Sequence, residues 1–134
     1  MKAALKAGLA YLAVVFAAGF VLGTVRILLV APRVGDIAAV LIESPVMLGI
    51  SWITARALIA RFGVPDRPGP RLAMGAVALA LLLIGEAALA VVAFGRTLQE
   101  HFAGYGTAAG AIGLAMQIVF GTFPLLQRPS GWWR

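Results

Sequence analysis

Apolar residues run almost without interruption through four stretches of the chain, near 4–29, 36–61, 72–94 and 103–126. The segments between them are short and rich in proline, glycine and charge. About 20 apolar residues in helical form cross roughly 30 Å of hydrocarbon, so each stretch predicts one membrane-spanning helix. Ala31-Pro32 is expected to end the first, because proline disfavours helix in the residue before it. Gly35-Asp36 then supplies turn and cap residues. Residues 63–71 hold three prolines and two glycines and are read as a loop. GRTLQEHF, at 95–102, is read as a short polar connection, and QRPSGWWR as a tail.

The expected architecture is an all-α, up-and-down four-helix bundle forming one domain over residues 1–134. Composition agrees with this. Of 134 residues, 62% are hydrophobic and 12% charged, and the mean hydropathy is +0.99, whereas soluble domains carry about 25% charged residues. The net charge of +6 does not indicate nucleic acid. The basic residues stand at the edges of apolar runs and form no patch interleaved with aromatics. Lys2 and Lys6 before an apolar run also resemble a secretory signal, but the uncharged run from Ala7 to Val25 exceeds the usual 7–15-residue core of such signals. A retained helix is expected.

Orientation follows from the basic residues. Lys2, Lys6, Arg56, Arg61, Arg67, Arg71, Arg128 and Arg134 belong to the side holding both termini, and Arg26, Arg33 and Arg96 to the other. Cytoplasmic segments carry the excess of Lys and Arg, so both termini are expected inside, in a bacterial cytoplasmic membrane. Trp132 and Trp133 suit the headgroup layer of that face. Gly19 and Gly23, and Gly106, Gly110 and Gly113, have the spacing that permits close helix–helix approach in lipid. They are read as packing faces within the bundle, or, in span four, as a homodimer face. No internal repeat is evident.

Three charged residues fall inside the apolar stretches in one layer. At about 1.5 Å per residue, Glu43 lies roughly 10 Å below the outer end of span two. Glu86 lies about 21 Å up span three by the same rise, roughly 9 Å from the outer boundary. Arg26 can reach the same layer. A buried charge in a membrane helix is costly without a partner, so Arg26, Glu43 and Glu86 are expected to cluster inside the bundle. Such a cluster is read either as an inert polar clamp that fixes helix register or as two carboxylates competing for one arginine, one of them able to bind a cation or relay a proton. Pro45 removes a helical hydrogen bond and its ring opposes the carbonyl of Leu41, predicting a kink that Ser44 is placed to repair.

The remaining signals are weak. With no cysteine, disulfides and thiolate chemistry are excluded. His101, the single histidine, builds no metal site alone and is read as a solvated loop residue without a catalytic triad. Gly104-Tyr105-Gly106 lacks the Thr-Val of a potassium filter, and the glycines around it lack dinucleotide-binding spacing. Thr54 continues the face of Glu43, and Gln117 is expected to hydrogen-bond across helices. No cofactor is expected. The leading functional expectation is a self-associating bundle or accessory subunit beside a larger membrane partner. A proton- or cation-linked transporter using Glu43 and Glu86 is the alternative, and a lipid-modifying enzyme a distant third.

Overall fold

The computed structural model describes residues 1–127, and within them every regular element is helical. Trp132, Trp133, Arg128 and Arg134 lie outside the described residues. The elements are α1 (Lys2–Val25), a π-helical segment (Arg26–Val30), α2 (Ala31–Val34), α3 (Asp36–Phe62), α4 (Pro68–Val92), α5 (Leu98–Ala103), a 3₁₀ turn (Gly104–Gly106) and α6 (Ala108–Leu126). Among the described residues, four helices are long and apolar enough to cross a membrane: Lys2–Val34, Asp36–Phe62, Pro68–Val92 and Ala108–Leu126.

Each boundary has a local cause. Pro32 does not end the first helix. The chain stays helical to Val34 by widening one turn, so that the N–H of Ala31 reaches back five residues to the carbonyl of Arg26. The wider turn moves the backbone past the pyrrolidine ring, a common origin of π segments. Gly35, at φ +88, makes the break, and Asp36 in the first turn of α3 complements the helix dipole. Gly63, at φ +63, closes α3 in the left-handed region that glycine tolerates.

The loop expected at 63–71 is shorter than the proline content implied. Pro68 and Pro70 occupy the first turn of α4, where a missing N–H costs nothing because those donors have no helical acceptor. The connection at 95–102 is likewise partly helical. Thr97 and Glu100 form a reciprocal capping box that starts α5. The last long helix begins at Ala108 instead of near 103, with the Thr107 hydroxyl accepting from the N–H of Gly110 at 3.0 Å.

The four long helices pack as a ring in which α1 and α6 each touch both α3 and α4. Close contacts give the registers. Gly8 meets Met74 and Gly85 meets Phe16 between α1 and α4, and Gly19 meets Met47 between α1 and α3. Gly75 and Gly121 bring α4 and α6 so close that a methyl group at Gly75 would stand 1.8 Å from the carbonyl oxygen of Gly121. Tyr11 reaches across the ring, stacking on Phe120 at 4.2 Å and donating its hydroxyl to the Phe120 carbonyl at 2.8 Å.

The interior is mainly apolar, as in a water-soluble domain, but the exterior is apolar as well. The largest fully buried side chains include Arg71, Tyr11 and Met74, with alanines 4, 7, 55 and 78 around them. Ile53, Ile84 and Val92 are 69%, 62% and 84% exposed on the outside. Such an apolar exterior fits a small multi-pass membrane protein. The tightly packed core sits at the end of the bundle that carries the α3–α4 connection. At the opposite end the helices enclose a space.

Candidate functional site

That space is a cavity of about 660 Å³ whose lining includes Arg26, Glu43, Glu86 and Gln117. Arg26 comes from the first residue of the π segment and Glu43 from two turns inside α3. The Arg26 Nε and the Glu43 Oε2 form an ion pair, both side chains largely covered. Glu86, on α4, is held by Gln117 on α6, whose Nε2 donates to Glu86 Oε1 at 2.6 Å. The sequence-derived trio therefore lines one cavity but is bonded as two pairs, Arg26 with Glu43 and Glu86 with Gln117. The cross-helix bond expected of Gln117 is present, and its partner is one of the two acids.

The floor is closed. Ser51 and Phe120 are among the lining residues, and below them Tyr11 is fully buried, its hydroxyl set between Ser51 and the Phe120 carbonyl. The rim is built from Asp36, Arg96, His101 and Tyr105. His101 is not a free loop residue. Its Nε2 lies 3.2 Å from the Tyr105 hydroxyl and its ring packs edge-on against Phe102 and Tyr105. Burial first, and the nearby Glu86 charge second, push the Tyr105 phenol above its ordinary range. Arg96 donates to the carbonyl of Glu100 at 3.1 Å.

Pro45 lies inside α3, and Ser44 bonds within its own helix. The α3 helix continues through Pro45, and the Ser44 hydroxyl donates to the carbonyl of Val40 at 2.7 Å. Ser44 thus serves its own fourth preceding residue, an ordinary helical back-bond, and leaves the Leu41 carbonyl opposite Pro45 unrepaired by this route. Ser44 also lines the cavity.

The glycine faces also read differently in three dimensions. A side chain at Gly106 or Gly113 would meet nothing within 4 Å, and one at Gly23 would meet only the Arg26 guanidinium, at 3.7 Å. Gly110 is required by its own chain, since a methyl group there would lie 2.0 Å from the Gly104 carbonyl oxygen. Gly110, Gly113 and Gln117 share one helical face, and all three line the cavity. Small residues at this position make room instead of contact. The interhelical backbone approaches that do require glycine are at Gly8, against Met74, and at Gly75, against Gly121, and sequence spacing did not single them out.

Arg71 was also hidden in the sequence, where it counts as one more loop cation. In the structure it is 1% exposed. Its Nη1 donates to the carbonyls of Pro124, at 3.1 Å, and of Gln127, and its Nε to that of Pro65 at 3.2 Å. It thereby caps the C-terminal end of α6, where a cation is favoured by both orphan carbonyls and the helix dipole. Comparison with known protein families, curated proteins and solved structures finds no match for this chain.

Proposed function

We propose that this chain is a multi-pass protein of a bacterial cytoplasmic membrane that handles a proton or cation through Glu43 and Glu86. In this reading the four long helices alternate in direction, both termini are cytoplasmic, and the cavity opens towards the outer face. The observation that carries it is the placement of both acids on one cavity, inside helices whose outer surfaces are apolar. Carboxylates at this depth are costly, and two of them converge on a space large enough for a ligand. The Arg26–Glu43 pair sets the local charge, and Glu86, held by a neutral amide, is the ion-handling group.

Reconstitution into liposomes tests this. Wild-type protein is expected to support proton or monovalent-cation flux. Glu86→Gln is expected to lower it about tenfold or more, since a charge-assisted interaction of roughly 1.5–3 kcal/mol is lost. Glu43→Gln is expected to lower it as well, by freeing Arg26 to approach Glu86. Equal flux in wild type and in the double variant, or none in either, would sink the reading.

A second reading is favoured by the closed floor under Tyr11, which gives a single copy no through-path. The chain is then an accessory subunit or a self-associating bundle, with the uncovered Gly106 end of the α5–α6 region available to a partner helix. A stoichiometric partner retained in mild detergent supports this reading, and a lone monomer opposes it.

A further inference from the structure

The cavity that the proposed function relies on also has a chemistry that selects among ligands. We propose that it binds a protonated organic amine with an apolar body, its ammonium N–H groups donating to Glu86 and to the side-chain carbonyl of Gln117.

The charges around the cavity favour a cation. Asp36, Glu43 and Glu86 face Arg26 and Arg96 across it, an excess of one carboxylate. Arg26 is engaged by Glu43, and Arg96 turns to the backbone carbonyl of Glu100 at the rim. Glu86 is bonded to an amide donor, and the nearby Arg26 makes its ion pair with Glu43 instead. A positive ligand supplies the missing charge.

Hydrogen bonding narrows the class. Gln117 turns its NH₂ group towards Glu86, the orientation that suits a carboxylate acceptor. This fixes the amide and leaves Gln117 Oε1 buried with no hydrogen-bond partner. Buried unpaired acceptors are costly and rare, so the Gln117 carbonyl calls for a donor beside Glu86. A primary ammonium brings three N–H donors, enough for Glu86 and the Gln117 carbonyl together. A quaternary ammonium brings charge but no donor.

Size and walls point the same way. A cavity of about 660 Å³ falls within the roughly 300–1,000 Å³ typical of small-molecule sites and far exceeds what a bare metal ion needs. Among the described residues, no three His, Cys, Asp or Glu side chains gather as metal ligands would. Phe16, Phe20, Phe94 and Phe120 contribute to the walls, and aromatic faces attract cations as well as apolar groups.

Isothermal titration of the full-length protein in detergent, corrected with protein-free micelles, tests the assignment with four probes of similar shape. Benzylammonium is expected to bind tightest, benzyltrimethylammonium more weakly, benzyl alcohol weaker still, and benzoate not at all. Glu86→Gln is expected to weaken benzylammonium about tenfold or more, whereas Glu86→Asp, which keeps the charge, retains cation binding and shows that loss in the first variant is not misfolding. Gln117→Leu is expected to erase the preference for benzylammonium over its trimethyl analogue while keeping the preference for cations. Benzoate binding as tightly as benzylammonium, or no effect of Glu86→Gln on benzylammonium, overturns the amine assignment. If amine binding fails while Glu86-dependent ion flux persists, the ligand class is wrong and the proposed function stands; if amine binding depends on Glu86 but flux does not, the amine site stands and the transport reading fails.

Discussion

Replacing Gly75 by alanine is expected to be the most damaging single-methyl change in the molecule. The added carbon would stand 1.8 Å from the carbonyl oxygen of Gly121, and both sides of that contact are backbone, which no rotamer change relieves. The α4 and α6 helices must separate. Overpacking a well-filled core typically costs about 1–3 kcal/mol and occasionally more, and here the upper end or beyond is expected, since the displaced element is a whole helix. Separation would also pull Phe120 away from Tyr11 and open the cavity floor. Thermal unfolding in detergent, followed by circular dichroism, measures the loss. Gly49→Ala is the control: nothing lies within 4 Å of a side chain there, so alanine is expected to stabilise helix α3 by about 0.5–1 kcal/mol.

Arg71→Met is expected to have an effect of similar size by a different route. Methionine preserves much of the volume but leaves the carbonyls of Pro65, Pro124 and Gln127 without the donors they now have. An unsatisfied buried acceptor costs about 1–3 kcal/mol, so a loss of roughly 3 kcal/mol or more is expected in the same unfolding measurement. Gln127 adds to this junction by donating its Nε2 to the Trp52 carbonyl at 2.7 Å. Loosening the end of α6 therefore weakens its hold on α3. Arg71→Lys is expected to recover only part of the loss, because an ammonium lacks the planar fork that reaches several carbonyls at once. Full recovery with lysine would mean that charge, and not the geometry of the fork, secures this end.

Much of the architecture was legible because long apolar runs follow a simple rule. Four such runs became four long helices, the form in which a segment suited to hydrocarbon bonds its own backbone groups. The errors lie where proline and threonine act through position instead of type. Pro68 and Pro70 look like helix breakers until their place in the first turn of α4 is known, and Pro32 is absorbed by a π-helical turn. Thr97 and Glu100 carried a readable capping signature, but the segment was short and polar enough to pass as loop. The cavity lining was half legible. A charge inside an apolar run stands out, so Arg26, Glu43 and Glu86 were found, and a buried amide such as Gln117 has few partners to choose from. Which acid each would bond was not readable, because that depends on how far apart α3 and α4 stand across the ring. The glycines were legible only as narrow helix faces: spacing does not tell that Gly19 lies against Met47 while Gly106 and Gly113 have no neighbour within the single copy. Arg71 was invisible because its acceptors are backbone carbonyls, one in the preceding loop and two at the distant end of α6.

The absence of cysteine makes one measurement especially direct. Gly113→Cys places a thiol on the cavity wall at a position with space for it, and Ile84→Cys places one on the apolar exterior, where the native side chain is 62% exposed. In sealed vesicles of known orientation, a membrane-impermeant maleimide is expected to label Gly113→Cys from the side opposite the termini and to leave Ile84→Cys unlabelled. Labelling of Ile84→Cys with Gly113→Cys inert from both sides would contradict a polar cavity enclosed by a membrane-spanning bundle.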